Sequence, residues 1–152
     1  MKRATMAEII ALLFVILFLY TGISKLMEYS LFKEQIATSP LIAPISGWIA
    51  FLLPAIEVIV SIILFMKSWR LMGFYISLIL MVLFTLYILA ILTFNKHIPC
   101  SCGGVIELLS WKGHIIFNSV FITLALMGIK LQKEVDKELS VSLNKQNHIL
   151  IK

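Results

Sequence analysis

The sequence predicts an all-α integral membrane protein: a bundle of four transmembrane helices with both termini in the cytoplasm. Three observations carry that prediction. Of 152 residues, 61% are hydrophobic and only 14% charged, with a mean hydropathy of +1.01. A soluble domain has roughly 45–50% apolar and about 25% charged residues. The apolar residues fall in four long blocks, and the basic residues gather at the ends of those blocks and in the C-terminal tail. The net charge of +5 therefore follows membrane topology rather than a nucleic-acid surface.

The first span is expected over about residues 8–27. Its uninterrupted apolar run, Ile9 to Ser24, is 16 residues, slightly short of the roughly 17–25 a spanning helix needs. Lys25 extends it by keeping its stem in lipid while its ammonium reaches the interface. A basic start before an apolar run also fits a cleaved signal peptide, but three further spans of the same character outweigh that reading. Between Glu28 and Pro44, Tyr29, Leu31, Phe32 and Ile36 alternate with charged and polar residues, which suits a short interfacial helix. Pro40 and Pro44 then interrupt regular structure.

The second span is expected over about 45–66, with Pro54 and Glu57 inside it, and is closed by the tight basic turn Lys67-Ser68-Trp69-Arg70. The third, about 71–94, carries no charge in 24 residues. A polar segment, 95–112, separates it from the fourth span at about 113–130, which is near the minimum length. Residues 1–130 are thus read as a membrane domain and 131–152 as a charged cytoplasmic tail. In that tail Lys130, Lys133, Glu134, Lys137 and Glu138 suit a solvated helix extension.

Orientation follows from the basic residues. Lys2, Arg3, Lys67, Arg70, Lys130, Lys133, Lys137, Lys145 and Lys152 would lie on one side, nine of the 13 Lys and Arg. Lys25, Lys33, Lys96 and Lys112 would lie on the other. The positive-inside rule assigns the first group to the cytoplasm. Trp48, Trp69 and Trp111 each fall at an expected span end, where indole rings prefer to sit. The segment 95–112 then faces outward, which in a bacterium is the periplasm, where disulfides form and persist.

That outward segment holds both cysteines of the chain, in His97-Ile98-Pro99-Cys100-Ser101-Cys102-Gly103-Gly104. A bridge between residues so close would remove little unfolded-state entropy, so it would be a poor structural staple. Such a small ring is strained and easily reduced, which suits exchange with a partner thiol. Lys96 and His97 would favour the reactive thiolate, and the two glycines leave room for a partner's approach. One alternative is metal binding: His97, Cys100, Cys102 and His114 together make a tetrahedral zinc set, or a thiolate site for copper(I). The spacing of the cysteines is tighter than zinc sites usually use. The other alternative is a pair of incidental thiols.

Ser110, His114 and Asn118 share one helix face. They form either a polar track that orients a proton or a quinone head group, or interhelical hydrogen bonds that hold the bundle. Glu57 is the one charge well inside a span and needs a partner; Lys25 is the natural one. A structural intramembrane pair is expected, with a proton relay as the alternative. Pro54, one turn earlier, removes a backbone hydrogen bond and frees the carbonyl of Ala50. Met66, Met72 and Met81 are read as core or lipid-facing filler.

With these residues in view, the chain resembles the family of small membrane proteins that joins DoxX-like proteins with the methylamine-utilisation protein MauE, over roughly Met6 to Ile129. The resemblance rests on Gly22-Ile23-Ser24-Lys25-Leu26 and Phe32, on Pro54-Ala55-Ile56-Glu57, and most specifically on Cys100-Ser101-Cys102-Gly103-Gly104. Ser110, Trp111, His114 and Asn118 stand behind that motif. Gly103 occupies a place where the family usually has a bulky residue. The resemblance implies a four-helix protein of the bacterial inner membrane. It would assist disulfide formation, or pass electrons, with a thioredoxin-like or other extracytoplasmic thiol protein as partner. The vitamin K epoxide reductase family is similar in architecture and makes a quinone the cofactor to consider, but this chain lacks the second cysteine pair of such a relay.

The expected function is thiol–disulfide exchange through Cys100 and Cys102, as a thiol–disulfide oxidoreductase, with His97 and His114 assisting. The alternatives are a zinc or copper binding and delivery module and a non-catalytic scaffold subunit of a larger membrane complex.

Overall fold

The computed structural model describes residues 2–37, 42–94 and 111–150. These form α1 (Lys2–Met27), α2 (Tyr29–Ala37), α3 (Ser46–Phe65), α4 (Arg70–Phe94) and α5 (Trp111–Leu150), with a short 3-10 turn at Ala43–Ile45 before α3. Among the described residues, four segments are long and apolar enough to cross a membrane: Lys2–Met27, Ala43–Phe65, Arg70–Ala90 and Gly113–Gln146. No strand occurs among the described residues. The all-α, four-span class is what the composition predicted.

The spans pack as an up-down-up-down bundle. α3 lies between α1 and α4, and α5 closes the ring by packing on both α4 and α1. The turn from α3 to α4 is tight: the Trp69 amide donates to the Met66 carbonyl (3.0 Å) and the Gly73 amide to the Trp69 carbonyl (3.0 Å). So short a connection forces the two helices to be antiparallel neighbours. Only 33% of each of the first three spans is buried within the protein, and the rest remains apolar, with Leu12, Ile16, Phe51, Ile59, Leu83 and Leu86 exposed. Those faces are predominantly apolar, so lipid is their solvent. The hydroxyls of Ser77, Thr85, Ser119 and Thr123 donate to the carbonyls four residues earlier, which satisfies them without water.

At the level of the middle of α1 the core is aromatic. Phe14 of α1 meets Phe74 of α4 and Phe121 of α5 edge-on, with centroids 6.3 and 5.2 Å apart. Gly128 lets α5 approach that cluster, since a Cβ there would lie 2.6 Å from Cε1 of Phe74. Phe74 is fully buried, so its ring has nowhere to retreat. Gly128→Ala is expected to cost about 1–3 kcal/mol, the usual range for overpacking, as measured by denaturant unfolding in detergent. Phe74→Leu in the same chain should recover part of the loss; an unchanged stability for the single variant would show that the helices do not approach this closely.

Polar contacts close the end of the bundle where α1 begins. Arg3 pairs with Glu134 (3.0 Å) and Glu138 (3.6 Å), while Lys67 and Arg70 both reach Glu8 (3.3 and 3.6 Å). These pairs tie the first turns of α1 to α5 and to the α3–α4 turn, which explains why α1 is helical from Lys2, before its apolar run begins. The helix α5 runs unbroken for 40 residues, about 60 Å at 1.5 Å per residue. A hydrocarbon core is about 30 Å thick, so α5 carries the charged tail well beyond the span as one continuous rod.

Candidate functional site

Near the end of α1 the bundle becomes polar, and the local sequence explains how. Gly22 has no side chain, and a Cβ there would lie 3.2 Å from the Pro54 carbonyl and 3.3 Å from Cβ of Glu57. The small residue lets α1 and α3 meet closely. One turn further along α1, Lys25 donates to Oε1 of Glu57. The Glu57 side chain is 1% exposed and that of Lys25 14%. An isolated charge at this depth would be costly, so each supports the presence of the other.

Two rings enclose the ammonium. Its nitrogen lies 5.6 Å from the centroid of Phe32 on α2 and 5.5 Å from that of Phe84 on α4, within cation–π range. The hydroxyl of Thr21 donates to the Leu17 carbonyl at 3.0 Å and also lies within interaction range of the Glu57 carboxylate. Oε2 of Glu57 is buried and has no hydrogen-bond partner among the described residues. Four helices thus contribute to one polar centre.

His114 and Asn118 lie on α5, the former half-buried and the latter buried. Their depth follows from the helix registers. The Arg3–Glu134 pair and the Phe14–Phe121 contact show α1 and α5 running antiparallel in step. Stepping along at 1.5 Å per residue brings His114 level with Thr21 and Gly22, within about one turn of Lys25. His97, Cys100, Cys102 and Ser110 lie outside the described residues. Among the described residues, no three His, Cys, Asp or Glu side chains converge as a metal site requires.

Sequence reasoning did not single out Thr21, or Phe32 and Phe84 as the rings around Lys25. The available signal was weak: a span-end lysine needs company, but two phenylalanines among ten cannot be chosen without the packing. It also treated Arg3, Lys67 and Arg70 as topology signals, whereas each is in addition an ion-pair partner.

The stretches Gly22–Leu26 with Phe32, and Pro54–Glu57, therefore face one another as parts of one site. A family model described as methylamine utilisation protein MauE matches residues 3–131. The chain belongs to the MauE family. The MauE match takes in α1 to α4, the cysteine segment and the apolar part of α5, and it ends where α5 turns charged. Searches of curated proteins and of solved structures found no match. It is a multi-pass membrane protein of the MauE family whose helices contact lipid.

Proposed function

We propose that this MauE-family protein exchanges disulfides at the outer face of a bacterial inner membrane, with Cys100 and Cys102 as the exchanging pair and both termini in the cytoplasm. One observation carries the reading. Both cysteines lie in the segment joining the end of α4 to the start of α5, and those helix ends are opposite the end closed by Arg3, Lys67 and Arg70. Positive charge favours the cytoplasmic side, so the cysteines would occupy the oxidising side.

In the exchange, a thiolate of one cysteine attacks a partner disulfide and expels a partner thiolate. The second cysteine then resolves the mixed disulfide. Lys96 and His97 would hold the attacking sulfur as thiolate, and His114, at the loop end of α5, would move a proton. A thioredoxin-like protein is the proposed partner, because such proteins present an accessible disulfide of low stability.

Alkylation in intact membranes with a reagent that cannot cross them tests this. Once a partner disulfide has oxidised the pair, both cysteines should be labelled from outside only after a reductant is added. Labelling that requires opened membranes would reverse the orientation. Thiols that are always reduced and freely labelled would leave no exchange pair, and thiols shielded until a chelator is added would indicate bound metal instead.

A further inference from the structure

We propose that the Lys25–Glu57 centre is a proton-holding site in which Oε2 of Glu57 takes up and returns the proton that thiol exchange must move. The coupling to thiols rests on the function proposed above; the proton site itself rests on the geometry of the bundle. A buried ion pair best repays its desolvation when further hydrogen bonds satisfy the remaining carboxylate oxygen. Here Oε1 accepts from Lys25, while Oε2 is buried with no hydrogen-bond partner among the described residues. An unpaired carboxylate oxygen in a low-dielectric interior is costly; a proton on it neutralises the carboxylate and leaves the 14% exposed Lys25 to the rings of Phe32 and Phe84.

The surroundings fit such a role. From α1 come Lys25, which holds the carboxylate in place, and Thr21, a hydroxyl rotor beside it that shares its proton between the Leu17 and Phe18 carbonyls at 3.0 and 3.4 Å. α2 and α4 contribute Phe32 and Phe84 around the ammonium. Among the described residues, the other titratable groups near this depth include Tyr20 on α1, Lys33 next to Phe32 on α2, Tyr87, one turn beyond Phe84 on α4, and His114 on α5. His114 thus stands at about the level of Glu57, about one turn from the start of α5 at Trp111.

The step balances. The chain's dithiol and a partner disulfide become the chain's disulfide and the partner's dithiol, and two electrons pass from the chain's sulfurs to the partner's. The resolving thiol must lose a proton before it attacks, and the partner's departing thiolate must gain one. Glu57 takes the first as a carboxylic acid and gives it back for the second, so its carboxylate is restored at the end of the exchange. The partner disulfide is the sole oxidant.

Infrared difference spectroscopy on the full chain in lipid, across pH and between oxidised and reduced dithiol, tests the proposal through the carbonyl stretch of a protonated carboxylic acid. The expected result is a band that depends on dithiol state, disappears in Glu57→Gln and persists, shifted, in Glu57→Asp. Glu57→Gln should also slow exchange by about 10- to 100-fold, up to the lower end of what positioned proton transfer contributes, and flatten its pH profile, while Glu57→Asp keeps the profile. Lys25→Met/Glu57→Gln, which leaves no buried charge, serves as the folded control. The absence of any Glu57-dependent band, at every pH where the bundle stays folded, would overturn the proton site. A band that titrates with pH but ignores the dithiol, in protein that does exchange, would overturn the coupling. Cysteines that never exchange would defeat the proposed function, and the pH titration of the band would still decide the proton site.

Discussion

Cys100→Ser and Cys102→Ser are each expected to reduce disulfide exchange to the background of membranes lacking the protein, and the double variant should be no worse. Two sulfurs that act in one cycle behave as a unit, so removing either costs as much as removing both. The single variants should differ in one respect. The one that keeps the attacking cysteine lacks the group that resolves the mixed disulfide, so it should accumulate a covalent adduct with the partner, visible on non-reducing gels and lost on reduction. The other should form none. That asymmetry identifies the nucleophile. A double serine variant that exchanges at the full rate would refute the mechanism.

Lys25→Met should destabilise the bundle by about 3–5 kcal/mol, the usual cost of stranding one member of a buried pair, measured by reversible unfolding in detergent. Glu57 would then be a carboxylate 1% exposed, with no cation beside it. Glu57→Gln should cost less. The stranded Lys25 is already 14% exposed, has Phe32 and Phe84 against it, and can extend toward the interface. Lys25→Met/Glu57→Gln should recover most of the loss, since replacing a whole buried pair with neutral residues is often close to neutral. A loss in the double variant equal to the sum of the two single losses would mean that the two side chains do not interact. The double variant also separates the two roles: it should be stable yet slow in exchange if the centre holds a proton.

How much of this was legible in the chain depends on the kind of interaction. The four spans were, because the cost of unsatisfied backbone groups in lipid demands long apolar helices, and the runs that supply them are continuous in sequence. The antiparallel pairing of α3 and α4 was legible too, since a turn as short as Lys67–Trp69 permits nothing else. Asymmetry of Lys and Arg, and the confinement of Cys100 and Cys102 to one polar segment, are likewise properties of the string. So is the need of Glu57 for a cation, because no membrane helix carries such a charge without compensation.

The tertiary structure alone decided the rest. It brought α5 against α1, which joins Arg3 to Glu134 and sets His114 level with Thr21. It also chose Phe32 and Phe84, from different helices, to enclose Lys25, and left one oxygen of Glu57 unpaired among the described residues. Helical periodicity states which residues share a face of one helix, but the rotation and relative height of neighbouring helices come from side-chain packing. Gly22 and Gly128 fix that packing through what they lack, and only the facing helix shows what such an absence admits.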